Sequence, residues 1–471
     1  MNDFQVVVIG GGMAGLVAGY QLTRHGLRPL VLEAGDQIGG AVARHTVAGI
    51  ELDAGAESFA VARPAVTDLL TDLGMAESIA QPSSAGAWVR HQAGTAPLPR
   101  AALLGIPSRP RAVDVRAVIG WSGAARASLD ALLPPRYGAG TLGELVRRRM
   151  GSAVLHRLVE PVVGGVHSAD PSLLETEAVA PGLTAALGSA GSLAGAVRTL
   201  RGDAPTAGSA VAGIRGGMAV LPAALAAAIL AAGGEIRCGV DVLGLARADE
   251  QWRVLVAGST GSRSAVTADA VMTAVPAASQ QQLLGPLLGP GVLAADVPST
   301  PVALVTVVLD DPRLDAAPRG SGILVAPRAT GVRAKALTHA TAKWPWLAET
   351  VPAGRHVLRL SYGRGAVAGG ADAEPIAPDD QLPGIALADA TELLGLELAA
   401  STVLGCAVRH WPASLPQARA GHTAAVAALR AAVSSYPGLA VLGSAVSGNG
   451  LAAVVSDSRA QADLLADSLR H

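Results

Sequence analysis

A run of glycines directly after a short apolar segment is the feature that most constrains this chain. The apolar run Val6–Ile9 predicts a buried strand, and Gly10-Gly11-Gly12-Met13-Ala14-Gly15 follows it at once. The pattern then predicts a helix over Leu16–His25 and a second strand over Pro29–Leu32, which ends in Glu33. Strand, glycine-rich turn, helix and strand in this order predict a dinucleotide-binding unit.

Each glycine in the turn has a physical task. Gly10 permits the tight turn, Gly12 lets the backbone approach a pyrophosphate, and Gly15 lets the helix pack closely on the strand. The start of the helix then presents free N–H groups and a positive dipole end to the anion. Glu33 lies 23 residues after Gly10, near the spacing expected for a carboxylate that binds ribose.

Segments further along the chain indicate which dinucleotide is bound. The stretch from Glu33 to Gly40 resembles the E-A-x-x-x-x-G-G extension of FAD-dependent amine oxidases and their relatives. The stretch from Glu51 to Phe59 resembles a segment of the protoporphyrinogen and coproporphyrinogen oxidases that lies against the flavin ring. Further segments that resemble this second family are Glu160–Pro171, Gly216–Leu221, Lys343–Pro345, Arg409–Gln417 with Gly421-His422, and Gly448–Leu451.

The resemblance covers almost the whole chain and implies FAD, bound non-covalently. It departs from the family at Ala41, where relatives often carry a basic residue, and at Leu451-Ala452-Ala453, where a different sequence is usual. Arg44 is the predicted substitute for the missing basic residue. The implied cofactor-binding residues are Gly10, Gly11, Gly12, Met13, Ala14, Gly15, Glu33, Ala34, Gly39, Gly40, Arg44, Gly55, Ala56, Glu57, Ser58, Val242, Trp411, Gly450, Leu451 and Ala452.

The implied reaction removes six electrons from a cyclic tetrapyrrole in three two-electron steps, with O₂ reduced to H₂O₂. The flavin carries this chemistry, so no catalytic side chain and no metal ligand is predicted. The substrate is flat and apolar with carboxylates on its rim. The predicted carboxylate-binding residues are Arg63, chosen for its place just after Phe59, and then Lys335, Lys343 and Arg364.

The predicted fold is α/β, with a Rossmann-like FAD domain, a mixed-sheet substrate domain and a helical lobe. Because the cofactor motifs are spread along the chain, the FAD domain is predicted to be discontinuous. It takes residues 1–65, 210–280 and 410–471, and the substrate domain takes 66–80, 173–209 and 281–409. Residues 81–172 are assigned to the lobe, which has apolar residues at helical spacing.

Composition excludes several other classes of protein. The net charge of −1 is unlike that of a nucleic-acid-binding protein, and the two cysteines are too few for a disulfide framework. The uncharged stretch Gly216–Gly234 is rich in Ala and Gly and contains Pro222, which favours a buried helix over a membrane span. We therefore expect a cytoplasmic protein with at most peripheral membrane contact. The resemblance adds porphyrinogen and O₂ as reactants and a downstream chelatase as a hand-off partner.

Several alternatives stay open at this point. Coproporphyrinogen III is favoured over protoporphyrinogen IX, but the sequence alone does not separate them. A different flavin oxidase, acting on an amine or a carotenoid, would share the first sixty residues. A flavin-dependent sugar mutase or a non-catalytic FAD-binding scaffold would share the nucleotide motif as well.

Overall fold

The glycine-flanked strand Phe4–Ile9 lies at the centre of a seven-stranded sheet, here named the nucleotide sheet. Its last four residues are buried, as an uninterrupted apolar run should be in a parallel sheet covered on both faces. The computed structural model describes residues 4–61, 63–134, 140–202, 211–258, 261–289, 299–365 and 375–470. The order across the nucleotide sheet is Glu235–Arg237, Pro29–Leu32, Phe4–Ile9, Arg263–Thr273, Gln251–Gly258 and Val240–Ala248, with Leu439–Val441 also beside Arg263–Thr273.

Helices cover both faces of the nucleotide sheet. One face packs against Met13–Arg24, Val220–Ala231 and Leu451–Ser468, and Ala65–Asp72 joins the same apolar core. The opposite face packs against Ala277–Leu288 and His422–Val433. The helix Met13–Arg24 begins three residues earlier than predicted, because the turn itself supplies its first residues.

A second seven-stranded sheet, here named the substrate sheet, has mixed strand directions. Its longest internal strand, Ser299–Asp310, lies next to one edge of the sheet and pairs antiparallel with a neighbour on each side. The helix Leu382–Leu394 packs against this sheet. The order across the sheet is Val403–Pro416, Ser299–Asp310, Arg355–Tyr362, Ala336–His339, Gly322–Val325, Ala87–His91 and Gly94–Pro97.

The helical lobe has a separate apolar core. Its helices are Val113–Ser128, Leu142–Met150, Ser152–Val154, Glu160–His167, Thr176–Val179, Leu183–Ala190 and Leu193–Arg201, with a 3₁₀ turn at Leu129–Leu132 and a π turn at Leu155–Val159. The short strands elsewhere are Arg44–Val47 with Ile50–Asp53, Phe59–Ala60 and Ile79–Ala80 on either side of Val211–Ile214, and Ala102–Leu103 with Ile106–Pro107. The remaining short helices are Ala76–Ser78, Pro312–Ala316, Ala340–Lys343, Pro345–Ala348, Ala400–Thr402 and Ser444–Ser447.

The α/β fold class is confirmed, but three segments pack differently from the predicted domain division. Strands Ala87–His91 and Gly94–Pro97 belong to the substrate sheet, although residues 81–100 were assigned to the lobe. The helices Leu183–Ala190 and Leu193–Arg201 pack their buried faces into the core of the lobe, although 173–209 were assigned to the substrate domain. The strand Val403–Pro416 crosses the predicted boundary at residue 410. Each difference arises because strand pairing and helix packing are long-range, while the division was based on the positions of sequence motifs and on the local spacing of apolar residues.

Candidate flavin site

The glycines of the turn differ in whether the protein's own packing requires them. Gly10 has φ +105°, and a Cβ there would lie 2.6 Å from the Ala274 carbonyl oxygen. A Cβ at Gly15 would overlap the carbonyl oxygen of Gly10. At Gly12, by contrast, a Cβ would meet no atom within 4 Å, and φ is an ordinary −70°. The protein's own packing therefore does not require glycine at position 12, which fits a ligand passing close to that backbone.

The helix Met13–Arg24 begins at this turn without a side-chain cap. Gly12 is its N-cap residue, and within the described residues the first turn has no side-chain cap. The first N–H groups of a helix have no acceptor within the helix. Met13 and Ala14 therefore offer N–H donors at the carboxyl edge of the nucleotide sheet, where α/β proteins bind nucleotides.

Glu33 is held at the same edge by the turn itself. Its carboxylate accepts hydrogen bonds from the Gly11 N–H (2.7 Å) and from the Gly35 N–H (2.8 Å). A carboxylate has about four lone-pair sites, so acceptor capacity is left for ribose hydroxyls. The strand Val240–Ala248 starts beside it, because the Val240 N–H donates to the Glu33 carbonyl (3.0 Å). Val242 lies two residues further along this strand and is half-buried, and its contact with the adenine stays a prediction.

The second glycine pair, Gly39 and Gly40, packs against the backbone of the glycine turn at Gly11 and Gly12. The Gly39 N–H donates to the Gly11 carbonyl (2.8 Å), and Gly39 has φ +106°. A Cβ at Gly40 would lie 3.3 Å from the Gly12 Cα. Ala34 continues the chain from Glu33 into this segment. The Arg44 side chain is exposed, with its Nε 3.7 Å from Glu51 Oε2, and its contact with the phosphates stays a prediction.

A second uncapped helix starts at the C-terminal side of the site. Gly450 has φ +102° and caps Leu451–Ser468 without a side-chain hydrogen bond. The N–H groups of Leu451 and Ala452 therefore resemble those of Met13 and Ala14 as anion or dipole contacts. The two helices are joined, since Gln21 donates to Asp463 (2.7 Å).

The segment Ala54–Phe59, which is predicted from the sequence to lie against the flavin ring, is anchored to the segment after the second glycine pair. The Ala56 N–H donates to the Ala41 carbonyl (2.9 Å), and a Cβ at Gly55 would overlap that same oxygen. Trp411 donates from Nε1 to the Ala54 carbonyl (3.0 Å). The indole therefore holds this segment in place. Ser58 belongs to the same segment and is half-buried.

Two cations meet at Glu57, which was predicted only as a cofactor contact. Lys343 donates to Oε1, and Arg359 donates to Oε2 (2.7 Å) and to the Gly55 carbonyl (2.7 Å). Burial opposes ionisation of Glu57, but the two cations outweigh it and lower the pKa to about 2. Sequence reasoning missed Arg359. The available signal was a lone arginine inside the buried run Val357–Leu360.

Asp53 adds a further buried carboxylate next to the segment Ala54–Phe59. Its Oδ1 accepts a hydrogen bond from the Met218 N–H (2.8 Å) and so holds the turn before the helix Val220–Ala231. Burial raises the pKa of Asp53 to about 6, against the opposing effect of Arg359. The cluster of Asp53, Glu57, Lys343 and Arg359 is here named the charged cluster.

The structure does not bring the four predicted substrate residues together. Arg63 is exposed, immediately before the helix Ala65–Asp72. Lys335 is buried, and its ammonium donates to Ser168 Oγ. Arg364 donates to the carbonyls of Val325 (3.3 Å) and Ala334 (3.0 Å), beside Lys335. Burial, assisted by Arg364, lowers the pKa of Lys335 to about 7. Lys343 lies elsewhere, in the charged cluster.

Comparison with known proteins decides the family. Residues 13–466 match the family described as flavin containing amine oxidoreductase. The chain belongs to that family. The flavin oxidoreductase class predicted from the glycine motif is therefore confirmed, and within the family the resemblance to the porphyrinogen oxidases is confirmed as well.

Relatives of this flavin oxidoreductase match over nearly their whole length. The coproporphyrinogen III oxidase of Mycobacterium leprae is 32% identical over 97% of both chains. The chloroplastic protoporphyrinogen oxidase of Oryza sativa subsp. japonica is 28% identical, over 98% of this chain and 88% of the relative. A crystal structure from Exiguobacterium sp. 255-15, provisionally named a protoporphyrinogen oxidase, superposes with a TM-score of 0.83 at 25% identity over 100% of both chains.

The helices of the described residues also bear on the membrane question. Within those ranges, no helix has both the length and the apolar character needed to cross a bilayer. The stretch 216–234, which raised this question in the sequence, contains the helix Val220–Ala231. Leu221, Leu225 and Ile229 of that helix are buried in the protein core.

Proposed function

We propose that this flavin oxidoreductase oxidises coproporphyrinogen III to coproporphyrin III in haem biosynthesis. The observation that carries the proposal is the 32% identity with the Mycobacterium leprae coproporphyrinogen III oxidase, spread over 97% of each chain. Six hydrogens leave the substrate, and three O₂ are reduced to three H₂O₂. The flavin, when bound, supplies the hydride acceptor for this chemistry.

The proposed cofactor is FAD, held without a covalent bond. The N–H groups of the two uncapped helices suit its pyrophosphate and its ring edge, and Glu33 suits the ribose. The open space at Gly12 supports this arrangement, because the protein leaves it unfilled. Hydrogen bonds of this number hold a dinucleotide without attachment to a side chain.

The charged cluster has an electrostatic part in the proposal. Two cations, Lys343 and Arg359, share the single carboxylate of Glu57 on the wall formed by Ala54–Phe59. Asp53 adds a second carboxylate, so the charged cluster is balanced when Asp53 is ionised and has one positive charge in excess when Asp53 is protonated, below its pKa of about 6. A positive charge on a partly dry wall favours negative charge on a group bound beside it, so the cluster with Asp53 protonated would support uptake of electrons by a flavin ring placed against this segment.

Substrate carboxylates are proposed to meet Arg63 and Lys335. Lys335 is the stronger of the two, because a buried ammonium that donates to a neutral hydroxyl gains most from an added carboxylate. Arg364 stands beside it as a second cation. Lys343 is engaged by Glu57, which leaves it less able to bind substrate directly.

Turnover of two porphyrinogens tests the proposal. Coproporphyrinogen III and protoporphyrinogen IX are offered to the purified holoenzyme, and porphyrin fluorescence and H₂O₂ are followed together. We expect three H₂O₂ for each coproporphyrin and a higher kcat/KM for coproporphyrinogen III. A clearly higher kcat/KM for protoporphyrinogen IX, the substrate named for the Oryza relative, would reject the assignment.

We further propose that the protein acts in the cytoplasm and that it hands its product to a chelatase.

A further inference from the structure

An open cleft in the helical lobe lies outside every group of residues discussed so far. It has a volume of about 470 Å³ and is bounded by three pieces of chain. They are the loop around Ser108–Ala112, the end of the helix Val113–Ser128 with the turn after it, and the start of the helix Leu193–Arg201. Its volume falls in the range of small-molecule sites, about 300–1,000 Å³.

The cleft carries uncompensated positive charge. Arg109, Arg111 and Arg198 line it, and all three are exposed. Arg111 donates to Ser128 Oγ (3.0 Å) and Arg198 to the Ser108 carbonyl (2.7 Å), which are neutral acceptors. Within the described ranges, no carboxylate forms an ion pair with any of these three arginines.

The one acid that lines the cleft is already engaged. Asp130 accepts from Arg149 Nε (2.5 Å) through one oxygen and from the Ala194 N–H (2.9 Å) through the other. Arg149 is fully buried, and Asp130 is nearly so. The Asp130–Arg149 pair is therefore a neutral structural unit that ties the lobe together, and it leaves the positive charge of the three arginines unbalanced.

The surrounding lobe has the same sign of charge. Residues 101–201 contain eleven arginines and seven carboxylates, whereas the whole chain has a net charge of −1. The walls between the arginines are small and apolar, at Pro110, Ala112, Ala127 and Ala131. A concave site with apolar walls and arginines at its edge suits a molecule with an apolar body and several carboxylates.

We propose that this cleft is a second binding site for the tetracarboxylate porphyrin, separate from the flavin site. This rests on the proposed function for the identity of the ligand. The porphyrin edge lies against the alanine and proline walls, and its carboxylates meet Arg109, Arg111 and Arg198. The site holds the oxidised product on the protein surface after it leaves the flavin site.

Equilibrium binding of coproporphyrin III to the holoenzyme tests the proposal without any turnover. We expect two equivalents bound to the wild type and one to the double variant Arg109→Ala/Arg111→Ala. The matched control Arg147→Ala/Arg148→Ala removes the same charge from exposed arginines of the lobe outside the cleft and should still bind two. Mesoporphyrin IX, a dicarboxylate, should bind the cleft at least tenfold more weakly.

Three results would overturn the proposal. They are a single equivalent in the wild type, two equivalents in the Arg109→Ala/Arg111→Ala variant, and equal losses in that variant and its control. Arg109→Ala alone covers the case of a folding defect, since the Arg109 side chain forms no hydrogen bond with the described residues and its carbonyl, which accepts from the Ala112 N–H (3.0 Å), is kept. It should weaken binding of the second equivalent at least fivefold.

Two further outcomes distinguish this proposal from a lipid-binding cleft and from a failure of the proposed function. Sedimentation with phosphatidylglycerol vesicles that depends on Arg109 and Arg111, with one porphyrin equivalent throughout, would assign the cleft to lipid and reject the porphyrin site. Two equivalents of coproporphyrin without turnover of coproporphyrinogen III would instead reject the proposed function and leave the cleft in place.

Discussion

The carboxyl edge of the nucleotide sheet and the charged cluster face the same predicted cofactor with different chemistry. The first offers backbone N–H groups at Gly12–Ala14 and at Leu451–Ala452, with one carboxylate at Glu33. The second offers side-chain charges, at Glu57, Lys343 and Arg359, buried against one another. A backbone site is sensitive to an added Cβ, whereas a buried ion cluster is sensitive to the loss of one partner.

The largest effect is expected from Gly12→Val. The Cβ of the new side chain enters space where no atom of the described residues lies within 4 Å, so the apo fold should keep its melting temperature while FAD binding is lost. The ratio of flavin absorbance to protein absorbance after purification measures this. Gly10→Ala is the contrast, because its Cβ strains a φ of +105° and should destabilise the fold itself. Full FAD occupancy in Gly12→Val would contradict the nucleotide site.

The next effect concerns Glu57→Ala, which leaves buried Arg359 and half-buried Lys343 without their shared carboxylate. Removal of one partner from a buried ion pair costs about 3–5 kcal/mol in the free energy of unfolding. Chemical denaturation of the holoenzyme measures the loss. Glu51→Ala is the control, since Glu51 is 56% exposed in a loose pair with Arg44 and should change stability by less than about 1 kcal/mol. Equal losses of unfolding free energy in the two variants would contradict the larger contribution to stability that is expected from the charged cluster.

The same cluster predicts a pH dependence with a definite sign. The folded pKa of Glu57 is about 2, below the ordinary value of 4.5. Its contribution to stability is therefore complete above pH 4.5 and is lost as the pH falls from about 4.5 towards 2. Glu57→Gln should show a flatter stability curve across that window.

A smaller effect is expected from Lys335→Met on substrate binding. Loss of one charge-assisted hydrogen bond to a carboxylate corresponds to about 1.5–3 kcal/mol, or about 10–150-fold in KM. Because the pKa of Lys335 is lowered to about 7, the KM of the wild type should rise as the pH passes above 7. Lys335→Arg should remove this rise and keep the low KM, whereas a pH-independent KM in the wild type would count against the role.

The smallest effect is expected from Arg63→Ala. The side chain is exposed and has no hydrogen-bond partner within the described residues, so an ion pair made there is worth less than about 1 kcal/mol. The KM for coproporphyrinogen III should change less than about fivefold, with the reaction of the reduced flavin with O₂ unaffected. A tenfold change in KM would contradict the exposed environment that the structure gives Arg63. It would also make Arg63, rather than Lys335, the stronger carboxylate-binding residue.

The same contrast explains which parts were predictable from the sequence. The glycine turn and Glu33 lie within 24 residues of one another, and the local order of strand, turn and helix is enough to predict them. The charged cluster joins Glu57 to Arg359, 302 residues away, and no local pattern contains that contact. Strand Ala87–His91 likewise pairs with a partner far away in the sequence, Gly322–Val325. The edge of the lobe could therefore not be located from local sequence features. Ser168 became visible as the acceptor of Lys335 only through the fold.

The two uncapped helices that frame the nucleotide edge begin at residues 13 and 451. Gln21 of the first helix and His25, the residue that caps its C-terminus, both bond to Asp463 of the helix Leu451–Ser468. Asp463 is synthesised 442 residues after Gln21, so this junction cannot close until that much further chain has been made. Until then the apolar face of the first helix lacks its partner helix, and the second set of N–H donors for the cofactor, at Leu451 and Ala452, does not yet exist.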